Sequence, residues 1–126
     1  MSKARLRIVT VADNRFAQTI LELFVAAHDD MALVGEAQDG AQAIQLASQT
    51  QPDILLMDFN LLALDGIAAI RQIKLDRPQV RIILLTAELD PERLTAALGA
   101  GADVYLPHMT LSNKLAETIH AAVQST

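Results

Sequence analysis

Short apolar runs alternate with longer amphipathic segments along the chain, and this alternation limits the possible fold more than any other feature. The short runs favour strands, whereas the longer segments carry apolar residues at helical spacing. The predicted strands cover residues 6–12, 32–37, 53–58, 81–87 and 103–107. The predicted helices cover residues 16–27, 41–49, 66–76, 90–102 and 111–124. Five strand–helix units in series predict an α/β fold in which a parallel sheet has helices on both faces.

The apolar pattern within these elements predicts how each one is buried. The first, third and fourth strands are nearly continuous apolar runs, as strands covered on both faces are. The second strand is weaker and contains Gly35, which suits an edge of the sheet. Asp65 and Gly66 read as a loop before the third helix. The apolar positions of the first helix are spaced as one helical face: Phe16, Ile20, Leu23, Phe24 and Ala27. We therefore expect one doubly wound domain over residues 1–126.

Composition excludes several classes of protein. A chain of 126 residues is long enough for one hydrophobic core. Its net charge of −5 argues against non-specific binding to nucleic acid or to an anionic membrane. The absence of cysteine excludes disulfides, thiolate catalysis and cysteine-based metal sites. No apolar run approaches the roughly 20 residues of a membrane span, and the N-terminus lacks the features of a signal peptide. We expect a cytoplasmic protein.

Polar residues gather where the predicted strands end. Ligands of open α/β sheets bind outside the carboxyl ends of the strands. Asp13, Asp58, Asn60, Thr86 and His108 lie at or just after such ends. Two neighbouring acids make ionisation of each other costly, and a divalent cation such as Mg²⁺ relieves that cost. A carboxylate beside this metal, with a hydroxyl and a cation near it, could accept a phosphoryl group.

Three segments carry a resemblance to a known family. They are "PDILLMDFNLLALDGIAAIRQIK", "IILLTA" and "GAGADVYLPH". Together they resemble the receiver domain of bacterial two-component response regulators, over essentially the full length of the chain. The segments "GEAQDGAQAI" and "GADVYLP" are most similar to the NarL/LuxR-type subgroup. The resemblance implies a flavodoxin-like (βα)5 domain with strand order 2-1-3-4-5.

The resemblance also implies a function. Asp58 would accept a phosphoryl group from a sensor histidine kinase or a phosphotransfer protein, with Mg²⁺ as cofactor. Asp13, Asp58 and the backbone carbonyl of Asn60 would bind the metal. Thr86 would hydrogen-bond the phosphoryl oxygens, and Tyr105 would be the switch residue. The face formed by the fourth helix, the fifth strand and the fifth helix would then change its contacts with an output domain, a partner protein or a second copy of the chain.

Two positions depart from the family pattern. The family has two adjacent acids after the first strand, and this chain has Ala12 at the first of them, so we expect a weak Mg²⁺ site. The family has a lysine where this chain has His108, whose imidazole is mostly neutral at pH 7 when unperturbed. Both departures leave a second hypothesis open, that of a degenerate pseudo-receiver that acts through protein contacts alone.

Structural alternatives exist for the individual residues as well. Asp13 could cap the first helix, Thr86 could be an ordinary strand residue, Tyr105 could serve packing, and His108 could be a surface residue. Enzymatic activity would be limited to self-phosphorylation and self-dephosphorylation. The chain contains no basic DNA-reading helix, so we expect no direct binding to nucleic acid, and the domain could stand alone or belong to a longer protein.

Overall fold

The computed structural model describes residues 5–86, 91–107 and 113–124, with the side chains of residues 59–65, 107 and 113 outside the described part. Within these ranges strands and helices alternate as the sequence predicts. The strands are β1 (Leu6–Val11), β2 (Met31–Ala37), β3 (Ile54–Asp58), β4 (Arg81–Thr86) and β5 (Val104–Pro107). The helices are α1 (Arg15–Ala26), α2 (Gly40–Thr50), α3 (Phe59–Asp76), α4 (Pro91–Ala100) and α5 (Asn113–Gln124). None of the described helices is long and apolar enough to span a membrane.

The described strands form one parallel sheet in the order β2-β1-β3-β4-β5, which confirms the expected flavodoxin-like topology. Strand β2 is an edge, as its weaker pattern predicts, and β3 is central and buried along its whole length. Successive side chains of a strand point to opposite faces. Leu55 and Met57 therefore enter a core shared with α2, α3 and α4, whereas Ile54 and Leu56 enter one shared with α1 and α5.

The predicted apolar face of α1 is wrong for three of its five members, since only Phe24 is buried and Ile20 is half-buried. The helix buries Gln18, Leu21, Phe24 and Val25, whereas Phe16 is 77% exposed and Leu23 is 65% exposed. The helix is apolar around more than half of its circumference, so two neighbouring stripes both have helical spacing. Periodicity cannot decide which of two such stripes faces the sheet.

The predicted start of α3 is also wrong. The helix begins at Phe59, directly after β3, instead of at Gly66. The segment between them contains three leucines and an alanine, which are strong helix formers. Their combined preference outweighs the turn signal of Asp65 and Gly66, which lie inside the helix. The remaining predicted boundaries agree with the structure within two residues.

Candidate functional site

Two aspartates lie where the strand order of the sheet reverses. The chain runs from β1 outward to β2 and then returns to β3 on the other side of β1, so the crevice between β1 and β3 is the switch point of the fold. Val11 pairs with Met57 across this crevice. Asp58 is the next residue of β3, and Asp13 follows Val11 by two residues. The register thus brings both carboxylates to the same rim of the sheet.

Neither carboxylate caps the helix that follows it. Asn14 is the N-cap of α1, where its side chain accepts a hydrogen bond of 2.8 Å from the backbone N–H of Ala17. Asp13 is exposed and accepts a 3.3 Å hydrogen bond from the Asn14 amide. Asp58 occupies the N-cap position of α3 without a side-chain capping bond, and it is only 4% exposed. Helix capping therefore does not explain either aspartate.

Thr86 stands beside Asp58 on the neighbouring strand. Asp58 pairs with Leu85, and Thr86 is the next and last residue of β4. Its side chain is buried, with 4% exposure. Thr86 therefore ends β4 at the same rim of the sheet as Asp58, and its contact with phosphoryl oxygens remains a prediction.

The remaining predicted site residues are Tyr105, Asn60 and His108. Tyr105 lies on the edge strand β5 and pairs with Leu84 of β4. Its 44% exposure excludes a purely internal packing role. Asn60 lies in the first turn of α3, where carbonyls point along the helix axis away from the N-terminus, and its assignment as a metal ligand remains a prediction. His108 lies outside the described residues.

Ala12, one of the two positions that depart from the family pattern, is fully buried. Ala12 has 0% exposure and belongs to the core shared with α1 and α5. Its N–H donates a 3.0 Å hydrogen bond to the carbonyl of Ala37 at the end of β2. Where the family has an acid, the methyl group of Ala12 therefore makes an apolar contact with this core.

Sequence reasoning missed Gln18, a polar residue on the buried stripe of α1. Its side chain is 6% exposed and hydrogen-bonds Thr10, Ala12 and Ala37 next to the rim. Its spacing could have identified it as buried. Gln18 precedes Leu21 by three residues and Val25 by seven, so the three residues lie on the same helical face.

The residues at the rim fit Mg²⁺. This ion accepts one or two protein carboxylates and keeps several waters, and it does not need a cage built entirely from protein ligands. Among the described residues no group of three or more histidine, cysteine, aspartate or glutamate side chains could hold a metal. The donor set of Asp13 and Asp58 is thus small, hard and anionic, as Mg²⁺ prefers.

The chain belongs to the response regulator receiver domain family, whose sequence pattern matches residues 8–120. It is 32% identical over 117 residues to the transcriptional regulatory protein LiaR of Bacillus subtilis, covering 93% of this chain and 56% of LiaR. The chain therefore spans little more than half the length of this curated relative. Similarity to the two-component family, predicted from the three sequence segments, is confirmed.

Solved structures agree with this assignment. A LuxR-family response regulator from an Aurantimonas species has a TM-score of 0.86 and 28% identity, with 96% of this chain and 86% of that chain covered. This likeness agrees with the expected NarL/LuxR-type subgroup. The receiver domain of a sensor histidine kinase from Pseudomonas aeruginosa has a TM-score of 0.84 and 30% identity, with 97% and 100% covered. That structure holds a magnesium ion in its active-site cleft.

Proposed function

We propose that this chain is a phospho-accepting receiver of a two-component phosphorelay in the cytoplasm, with Asp58 as the acceptor. The observation that carries the proposal is the position of Asp58, a buried carboxylate at the end of the central strand, opposite Asp13 at the switch point. The magnesium-bound relative of the same fold supports the same assignment.

Each residue has a distinct part in the proposed transfer. One oxygen of Asp58 attacks the phosphorus of a phosphohistidine, and the P–N bond breaks as the nitrogen keeps the electron pair. Asp13 and Asp58 would hold Mg²⁺, together with the Asn60 carbonyl, and the metal would supply charge neutralisation for the phosphoryl oxygens. Thr86 donates a hydrogen bond to one of these oxygens, and His108 supplies a further donor. The central strand keeps the nucleophile in a fixed orientation, so little reorganisation precedes the attack.

The phosphodonor protein, a sensor histidine kinase or a phosphotransfer protein, docks on the exposed apolar surface of α1 in this proposal. Phe16 and Leu23 are seven residues apart and therefore lie on the same side of the helix. Phe16 follows Asp13 by three residues, so this surface adjoins the rim. Exposed side chains of this size on one helix face are typical of an interaction site.

The output passes through the face formed by α4, β5 and α5. Leu98 on α4 is 40% exposed and Tyr105 on β5 is 44% exposed, so both are available to an output domain, a partner protein or a second copy. Since the curated relative is a transcriptional regulator of which the matched segment covers only 56%, we propose transcription regulation as the output.

One observation favours a second candidate, the degenerate pseudo-receiver. Ala12 is fully buried, and its methyl group cannot form a hydrogen bond with a water bound to the metal. Intact mass spectrometry after incubation with Mg²⁺ and a small acyl phosphate separates the two candidates. The receiver hypothesis predicts one phosphoryl group per chain, which does not form when the metal is chelated before the phosphodonor is added. A chain that stays unmodified at millimolar-order Mg²⁺ is a pseudo-receiver.

A further inference from the structure

Gln18 is a buried amide on α1 whose donors and acceptor are all used. Its Oε1 accepts a 3.0 Å hydrogen bond from the hydroxyl of Thr10, which is fully buried. Its Nε2 donates one hydrogen bond of 2.9 Å to the carbonyl of Ala12 and another of 2.7 Å to that of Ala37. A buried polar group with every bond satisfied is rigid, because any rotation leaves donors or acceptors unpaired.

The carbonyl of Ala12 belongs to the peptide unit that carries the nitrogen of Asp13. A peptide unit is planar, so a hydrogen bond that fixes its carbonyl also fixes the bond from which Asp13 begins. The Ala37 carbonyl accepts a second hydrogen bond from the N–H of Ala12. Gln18 thereby joins α1 to the carboxyl ends of both β1 and β2, and it holds the carbonyl of the Ala12–Asp13 peptide.

The amide contributes to stability and to geometry. A methionine or leucine would fill a similar volume but would leave the buried Thr10 hydroxyl and the Ala12 carbonyl without this partner, which costs stability. The amide achieves what an apolar side chain cannot, which is to set the direction of two carbonyl groups next to the rim.

From these contacts we infer that Gln18 is a positioning residue that orients the Asp13 carboxylate and thereby sets the affinity of the chain for Mg²⁺. The inference rests on the proposed function, in which Asp13 and Asp58 hold the metal. Groups that orient a metal ligand without touching the metal change affinity by about 10–100-fold when they are removed.

The test compares Gln18→Met with Thr10→Val in the full chain. Gln18→Met removes both donors to the carbonyls, whereas Thr10→Val removes a neighbouring bond of the same network and keeps those donors. Mg²⁺ alone is titrated against each protein, and the backbone amide signals of Asp13 and Asn14 report binding by NMR. We expect the dissociation constant for Mg²⁺ to rise at least about tenfold in Gln18→Met. Thr10→Val should stay near wild type, although both variants melt at lower temperature.

Failure of the inference and failure of the proposed function give different results. If wild type binds Mg²⁺ and Asp58→Asn weakens that binding, the proposed site stands. Equal affinities of Gln18→Met, Thr10→Val and wild type then overturn only the role of Gln18. If wild type shows no binding, the metal site itself fails, and the inference fails with it.

A measurement on wild type covers the case in which Gln18→Met does not fold. The proposed hydrogen bonds predict that the amide of Asp13 is as rigid as those within α1, with an NMR order parameter near about 0.85. A mobile Asp13 amide, with a value below about 0.6, would overturn the role of Gln18 without any substitution.

Discussion

The aspartates at the two ends of the sheet are used in different ways. Asp53 and Asp103 precede β3 and β5 at the amino ends, and each accepts a 2.8 Å hydrogen bond from a strand N–H, that of Arg7 and that of Ile82. Asp13 and Asp58 follow β1 and β3 at the carboxyl ends, and neither caps the helix next to it.

Two aspartates at the amino ends also contact basic side chains. Asp103 lies 2.9 Å from the ammonium group of Lys74, whose side chain is 16% exposed and also donates to the carbonyl of Val80. Asp30, which precedes β2, lies 2.6 Å from a ring nitrogen of His120 on α5. Identical side chains thus stabilise the fold at one end of the sheet and, in the proposed function, bind a ligand at the other.

The largest expected contrast comes from Asp13→Ala and Asp103→Ala. Asp103→Ala removes acceptors of an ammonium group and a backbone N–H, so the free energy of unfolding should fall by about 1–3 kcal/mol. Asp13→Ala should leave that free energy within about 0.5 kcal/mol, because the side chain is exposed. It should instead weaken Mg²⁺ binding by more than about 100-fold, since it deletes a direct ligand.

Urea unfolding followed by circular dichroism and Mg²⁺ titration by calorimetry provide both readouts, since the chain has no tryptophan. A loss of stability in Asp13→Ala equal to that in Asp103→Ala, with Mg²⁺ binding intact, would erase the distinction between the two ends.

The substitution Ala12→Asp adds a third acid at the carboxyl end of the sheet and tests whether acids there bind Mg²⁺ at the expense of stability. The new carboxylate would enter a fully buried position beside two like charges, so without metal the free energy of unfolding should fall by about 1–3 kcal/mol. Mg²⁺ affinity should rise roughly 10–100-fold, as added outer-shell groups do in other metal sites. Added Mg²⁺ should therefore restore much of the stability.

The matched control is Ala12→Asn, which has nearly the same size and no charge. It should lose stability without any gain in Mg²⁺ affinity. Equal Mg²⁺ affinity in Ala12→Asp and wild type would mean that this position does not face the metal.

The double substitution Phe16→Ser and Leu23→Ser tests the docking surface on α1. Both side chains are mostly exposed, so stability should change little. Phosphotransfer from a histidine kinase that phosphorylates wild type should slow by about tenfold, the effect of losing apolar anchors of an interface. Phosphorylation by a small acyl phosphate should stay unchanged, because it needs no docking.

Leu75→Ser is the control for this surface, since Leu75 is 72% exposed on α3 and lies on the opposite face of the sheet. The docking hypothesis is wrong if the α1 double variant and Leu75→Ser receive phosphoryl groups from the kinase at the same rate.

The smallest expected effect concerns Asp30. The hydrogen bond from His120 is the main cause that lowers the pKa of Asp30 below its usual value of 3.8. A lowered carboxyl pKa stabilises the fold above the unfolded pKa, and the contribution is lost as pH falls below about 4 through the folded pKa. Both side chains are nearly half exposed, so solvent screening limits the contribution to under about 1 kcal/mol.

Asp30→Asn should therefore be slightly less stable than wild type at pH 6, and the two should converge near pH 3. Urea unfolding across this range checks the prediction. A difference that is constant with pH would assign the effect of Asp30 to packing.

Much of the fold was predictable from the sequence because its signals are local and repeated. The continuous apolar residues of β3 predicted a strand buried on both faces, and the structure buries every one of them. The errors occurred where two local signals competed. Around Gly66 the turn signal lost to helix formers, and on α1 two apolar stripes had the same period. Only the position of a helix against the sheet decides such cases.

The candidate site was predictable in part. The polar residues after the strands could be identified because a parallel sheet brings the carboxyl ends together. Gln18 was not identified, since its partners are mainly backbone carbonyls, which leave no pattern in side-chain identity. The amino-end use of Asp53 and Asp103 was not predicted for the same reason, because backbone N–H groups are their partners.

Phosphorylation of Asp58→Asn and Asp53→Asn tests directly whether Asp58 is the phosphoryl acceptor. Wild type and both variants are incubated with Mg²⁺ and the same acyl phosphate, analysed by intact mass spectrometry, and digested to locate the modified peptide. We predict one phosphoryl group on Asp58 in wild type and in Asp53→Asn, and none in Asp58→Asn. Equal modification of all three proteins, or a phosphoryl group on another residue, would show that Asp58 is not the acceptor.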